Sequence, residues 1–175
     1  MANIKDIAAI ADAVVKEYSS RDPYEIAEKE GVRVCSYDLG SLNGMYVVIS
    51  NVEFIALSSA LSGGEERLVC AHELGHHYLH RELAQTSALA DSSLFSGGGR
   101  LEYEANAFAA ELLITDREML EVIKDCPDLE KAATELGQLP ELVAVKCEIL
   151  RERGLNLRPL EIESGFLKRN LQKSD

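Results

Sequence analysis

The sequence predicts an α+β fold: a small antiparallel-rich sheet packed on one buried helix, followed by a helical C-terminal half. Three observations lead there. Short β-rich runs are confined to residues 32–57. Helical periodicity fills residues 3–18 and returns in most of the chain from residue 65 to residue 153. Between them, residues 68–80 carry all four histidines together with Leu68, Ala71, Gly75 and Leu79, an apolar stripe that buries the helix on which they sit.

Taken in order, Ile4, Ile7, Ala8, Ala11, Val14, Val15 and Tyr18 recur at helical spacing and open the fold. Asp22-Pro23-Tyr24-Glu25 then supplies an N-cap, a proline at the first helical position and an acid at the third. That short helix runs to about Glu30 and is ended by Gly31. Residues 32–37 alternate as a strand. After the turn signals Gly40 and Asn43-Gly44 come two further strands, 45–50 and 52–57. Only Ser50-Asn51 separates them, which predicts a hairpin. Because strand 52–57 leads straight into the histidine helix, it is expected at a sheet edge, free to pair with an extended peptide. Ser62-Gly63-Gly64-Glu65 reads as a capping box for that helix.

Residues 81–99 are small and polar, ending in Ser96-Gly97-Gly98-Gly99, and read as a mobile loop or a gate beside a site. Residues 100–113 return to helix, with Leu101, Ala105, Phe108 and Leu112 on the core face. Thr115-Asp116-Arg117-Glu118 is a capping box for a helix to about Lys124, and Cys126-Pro127 breaks it. Helices near 128–136 and 140–153 follow, joined by Gly137-Gln138-Leu139. Their second member carries Glu141 and Glu148 against Lys146, so helical packing is favoured over DNA recognition. Residues 1–153 are expected to form one functional domain and 154–175 a tail.

Within the histidine helix, His72-Glu73-Leu74-Gly75-His76 is H-E-x-x-H. Positions i and i+4 share a helix face about 6 Å apart along the axis. Two imidazoles so placed can bind one Zn²⁺, and the glutamate after the first can take a proton from the attacking water. A lone histidine on a helix is ordinary packing; two on one buried face need a reason. His80 is about 12 Å along a continuous helix from His72 and cannot join both. His77 points off the strip and is expected to be solvated or to support the site. Cys70 faces away and is read as packing.

Zinc hydrolase sites use three protein ligands and an open position. The third-histidine pattern H-E-x-x-H-x-x-G-x-x-H is absent, because Leu79 and Glu82 occupy its glycine and histidine positions. A carboxylate from the next helix is therefore expected. Glu102 is favoured, since it shares a strip with Asn106 and the small Ala109, leaving Asn106 to hydrogen-bond a ligating histidine. Glu104, on the flank with Glu111 where solvation is natural, is the alternative. Tyr103 and Tyr78 are candidates to stabilise an oxyanion, with packing the default for both.

Composition narrows the setting. The four scattered cysteines form no C-x-x-C and read as reduced thiols of a cytoplasmic protein. Lys5, Asp6 and Asp12 interrupt any secretory apolar stretch, and no run is long enough to span a membrane. The net charge of −12 argues against direct nucleic-acid binding. Residues 151–175 hold six Lys/Arg and four Asp/Glu. The remainder therefore carries twelve basic and twenty-six acidic side chains, a net of −14 that would attract a basic partner.

The two motifs together, Ala71-His72-Glu73-Leu74-Gly75-His76 and Glu102-Tyr103-Glu104-Ala105-Asn106-Ala107-Phe108-Ala109-Ala110-Glu111-Leu112-Leu113, resemble the ImmA/IrrE family of metallopeptidases. Pro23-Tyr24-Glu25-Ile26-Ala27 and Gly31-Val32 also follow its layout, so the resemblance covers roughly residues 20–150. It implies a gluzincin-like site with His72, His76 and Glu102 as ligands and Glu73 as acid/base. It further implies an intracellular regulator, often of phage or mobile-element origin, that inactivates a helix-turn-helix transcriptional repressor by cleaving it. Leu113-Ile114-Thr115 departs from the family's usual Leu-Leu-Met-Pro; Thr115 can cap the next helix where proline would begin it. The rival expectation is a non-enzymatic zinc-containing regulator that acts by binding the repressor. An intact Glu73 weighs against it, because a binder needs no base beside its metal.

Overall fold

The computed structural model describes residues 3–85, 88–91, 99–126 and 128–157. The chain divides into two compact units, Met1–Leu113 and Ile114–Asp175. The first holds α1 (Ile4–Tyr18), α2 (Pro23–Glu30), β1 (Arg33–Tyr37), β2 (Gly44–Ile49), β3 (Val52–Ser58), α3 (Gly64–Ala84), β4 (Leu89–Asp91) and α4 (Arg100–Leu113). The second is helical: α5 (Asp116–Asp125), α6 (Leu129–Leu136) and α7 (Pro140–Glu152). The α+β class with a helical C-terminal half is therefore observed.

Local chemistry accounts for most boundaries. Asn3 caps α1 by accepting from Asp6 N, while the Asp6 carboxylate accepts from Asn3 N. Asp22 caps α2 ahead of Pro23, and Gly31 ends it at φ 77°, a left-handed conformation that favours glycine. Ser50 and Asn51 both take positive φ, 51° and 63°, as the two central residues of a tight β2–β3 hairpin must. Thr115 and Glu118 form the reciprocal cap of α5. The expected box at Ser62 is only half made. Glu65 Oε2 lies 3.3 Å from Ser62 N, yet α3 starts at Gly64 behind Gly63, whose φ of 55° breaks the Ser62 cap geometry.

The sheet order is β1-β3-β2-β4, with β1 parallel to β3 and both β2 pairings antiparallel. This overturns the edge-strand expectation: β3 is paired on both sides. The reason lies in its pattern, for Ile55, Ala56, Leu57 and Ser58 are buried in succession, as in an interior strand. β4, inside the segment read as a loop, pairs with residues 44–46 of β2 and takes the edge. The gate expected at Ser96–Gly99 falls almost wholly outside the described residues, as does the tail beyond residue 157.

α3 is the axis of the first unit, packed against β2, β3, α2 and α4. Every residue from Leu68 to His77 is buried. A helix enclosed on all sides has no solvent face to absorb polar groups, so each of its histidines and Glu73 must answer to a neighbour. In the second unit Lys146 is wholly buried on α7, 2.7 Å from Asp116 Oδ1. It pins the helices of that unit together rather than forming part of an exposed basic face.

Candidate metal centre

His72 and His76 stand one turn apart on the strip of α3 that faces α4, and both are about 1% exposed. Their Nε2 atoms are 3.1 Å apart. Glu102, in the first turn of α4, brings Oε2 to 3.2 Å from His72 Nε2 and Oε1 to 3.5 Å from His76 Nε2. The ligand atoms of these three residues lie within 4.8 Å of one another, and among the described residues no other group of His, Cys, Asp and Glu could hold a metal ion.

Close helix approach makes this convergence possible. A Cβ added to Gly75 would stand 2.9 Å from Ala105 Cα and 3.0 Å from its carbonyl oxygen. Any side chain there would push α3 from α4 and carry Glu102 away from the histidines. At its far end α4 is held by Arg21, whose Nη1 donates to the carbonyls of Glu111 and Leu112 at 2.9 Å.

The remote nitrogens of both histidines are engaged. His72 Nδ1 lies 2.8 Å from Asn106 Oδ1, an acceptor, so this nitrogen carries the proton and Nε2 keeps its lone pair. His76 Nδ1 lies 2.9 Å from His80 Nδ1. His80 Nε2 in turn lies 3.0 Å from Glu104 Oε2, and Arg100 Nε donates to Glu104 Oε1 at 2.7 Å. Burial holds His76 below the ordinary imidazole pKa against the opposing pull of Glu102, with His72 adding to the lowering. The imidazoles of His72 and then His76 beside it hold the Glu102 carboxyl well below the usual carboxylate range. Near neutral pH these shifts leave His76 neutral and Glu102 ionised, the forms a metal requires. Imidazole lone pairs facing each other and a carboxylate are reconciled by a cation, so the donor set fits one.

Glu73 is fully buried on the adjacent strip, facing β2. A Cβ on Gly44 would come 2.6 Å from Glu73 Oε1 and 2.5 Å from Val69 Cγ1. A side chain at position 44 would require Glu73 and Val69 to shift. Cys70 is buried, and burial together with Glu73 pushes its thiol far above the usual range, which suits inert packing.

Among the other candidates, the flanking carboxylates and His77 depart from the expectation of a solvated side chain. Glu104 and Glu111 are 7% and 6% exposed, so neither is solvated; Glu104 is turned to His80 and Arg100. Tyr78 donates to Glu30 Oε1 at 2.5 Å and stacks on Phe108, so its hydroxyl and ring are both engaged in packing. Tyr103 is half-buried on α4 beside Glu102. His77 is not solvated either. Its Nδ1 donates to Glu53 Oε2 at 2.6 Å, Tyr46 donates to the same oxygen at 2.6 Å, and Arg81 pairs with the other. The contact of His80 with His76 and Glu104 is not expected from a regular helix. α3 departs from helical geometry at that residue, with φ −132° and ψ 17°. The i, i+4 spacings His76/His80 and Arg100/Glu104 were the available signal.

Comparison with known proteins agrees with this geometry. The family model described as IrrE N-terminal-like domain, Peptidase_M78, matches residues 27–153. An uncharacterized immunity region protein 2 of Bacillus phage phi105 is 36% identical over 111 residues, which is 63% of this chain and 69% of that protein. The metallopeptidase ImmA of Bacillus subtilis (strain 168) is 29% identical over 121 residues, 68% of this chain and 69% of that one. With the match spanning well over half of the sequence and taking in His72, Glu73, His76 and Glu102, the chain belongs to the ImmA/IrrE family of metallopeptidases.

Proposed function

We propose that the chain is a zinc-dependent endopeptidase of the cytoplasm that cuts a helix-turn-helix transcriptional repressor, with residues 1–153 as the peptidase domain and 154–175 as a tail. The observation that carries this reading is the convergence of His72, His76 and Glu102 beside a buried Glu73. In it the two histidines and Glu102 hold the metal, and Glu73 is the catalytic acid/base. A zinc ion held there supplies a Lewis acid that polarises the scissile carbonyl and makes water a better nucleophile near neutral pH.

The remaining work belongs to the protein. Glu73 accepts the proton of the attacking water on a carboxylate oxygen and delivers it to the departing amine nitrogen. Its burial keeps bulk water from competing for that proton, and Gly44 leaves the space in which the carboxylate stands. Asn106 keeps His72 in the tautomer that directs Nε2 at the metal.

The substrate class is supported by the relatives, one named for a phage immunity region and the other a metallopeptidase. The charge of −14 on residues 1–150 supports it too. A DNA-binding repressor carries a basic face, to which an acidic protease is steered while being kept off DNA itself. The test is co-expression with a helix-turn-helix repressor encoded near the gene, with repressor length followed for the native chain and for Glu73→Gln. Zinc is expected to stay bound in Glu73→Gln while cleavage falls by about 10²–10⁴-fold. A full-length repressor that is inactivated equally by both forms would replace the peptidase with a binding regulator.

A further inference from the structure

We propose that His80, Glu104 and Arg100 form a positioning relay that locks the ring of His76 in its metal-binding tautomer; this rests on the reading of His72, His76 and Glu102 as a zinc site. Two imidazole nitrogens 2.9 Å apart, as His76 Nδ1 and His80 Nδ1 are, share a single proton between them. Which ring owns it decides whether His76 Nε2 is a lone pair or an N–H.

A metal ion on His76 Nε2 requires the proton on Nδ1, and the contact at the far end of the relay, where His80 Nε2 faces a carboxylate oxygen, fits that arrangement. If a neutral His80 kept the proton on Nδ1, its Nε2 lone pair would face Glu104 Oε2 at 3.0 Å, acceptor against acceptor. With the proton on His76 Nδ1, His80 accepts there and donates from Nε2 to Glu104, so every contact pairs a donor with an acceptor. Arg100 Nε, 2.7 Å from Glu104 Oε1, engages that oxygen and leaves Oε2 to accept from His80. The carboxylate thus reaches through His80 to set the lone pair on His76 Nε2.

Three further features separate this chain from an incidental contact. His80 and Glu104 are 5% and 7% exposed, and a buried acid–imidazole pair has a desolvation cost that a solvated face avoids. α3 leaves helical geometry at His80 alone among its described interior residues, and there the ring reaches both partners. Finally, α4 treats the two ligating histidines alike. It holds His72 directly through Asn106 and His76 indirectly through Glu104, while Glu102 from the same helix faces both Nε2 atoms.

The experiment measures zinc affinity of the full chain by competition with a chromophoric chelator, beside the thermal midpoint of the zinc-free protein. Glu104→Gln, which keeps shape and loses charge, is expected to weaken zinc about tenfold, and His80→Leu by roughly 10–100-fold. His80→Gln can accept from His76 and donate to Glu104, so it should stay within about threefold of the native affinity. Should His80→Leu fail to fold, Glu104→Gln and His80→Gln carry the comparison. Unchanged zinc affinity in Glu104→Gln, with only the zinc-free midpoint lowered, would reduce the relay to packing and overturn the proposal. Loss of zinc in Glu102→Ala with native affinity in Glu104→Gln and in folded His80→Leu would defeat the relay while sparing the metal site. Absence of zinc binding in the native chain would defeat the site itself.

Discussion

Two neighbouring strips of α3 carry the same ingredients and use them in opposite ways. The strip facing α4 presents His72 and His76, and the strip facing β2 presents Glu73 and His77, again one turn apart. Both lie in the core beside carboxylates. On the β2 side His77 is closed off: Glu53, Tyr46 and Arg81 engage one another and its Nδ1, and Glu30 Oε2 stands 3.8 Å from its Nε2. Burial would push Glu53 upward, yet the Tyr46 hydroxyl, His77 and Arg81 outweigh it and hold the carboxyl below its usual range. On the α4 side the remote nitrogens are the ones engaged, so the Nε2 atoms converge with Glu102. Burial and composition do not distinguish a structural knot from a candidate metal centre. The direction in which the ring lone pairs are left does.

Breaking the closed network should give the larger stability effect. Glu53→Ala strips the buried His77 and Tyr46, and the exposed Arg81, of their shared acceptor. We expect unfolding free energy to fall by about 3 kcal/mol in denaturant titration, with zinc content unchanged once the protein is folded. Zinc loss from the folded variant would show that the two strips are not independent.

A change on β2 should convert one strip's behaviour without touching the ligands. Gly44 and Tyr46 lie two residues apart on one face of β2, the glycine against Glu73 and the tyrosine against His77. Gly44→Ala fills the space that Glu73 uses. A cost of about 1–3 kcal/mol in stability is expected from overpacking, and a displaced carboxylate should slow peptide hydrolysis by about 10²-fold with zinc retained. Native turnover in Gly44→Ala would mean that Glu73 does not need its observed position.

What the sequence disclosed follows the range of the interactions. The H-E-x-x-H strip, the Asp22-Pro23 and Thr115–Glu118 caps and the Ser50-Asn51 hairpin are set by residues within four positions, and each is found where the pattern puts it. Glu102 was legible because Asn106 and Ala109 mark its strip. The place of β3 was not, since its neighbours β1 and β2 are chosen by the packing of the whole sheet. The burial of His77 is not legible for the same reason: its partner Glu53 comes from a strand 24 residues away. The kink that turns His80 toward Glu104 has no proline or glycine to announce it.

The most direct measurement is zinc stoichiometry, by atomic emission, of the purified native chain beside folded Glu102→Ala and Glu53→Ala. Two carboxylates, each beside buried histidines of one helix, are thereby compared in a single quantity. A single zinc per chain is predicted for the native protein and for Glu53→Ala, and none for Glu102→Ala. Full zinc in Glu102→Ala, or its loss in folded Glu53→Ala, would contradict the assignment of the metal to the α4-facing strip.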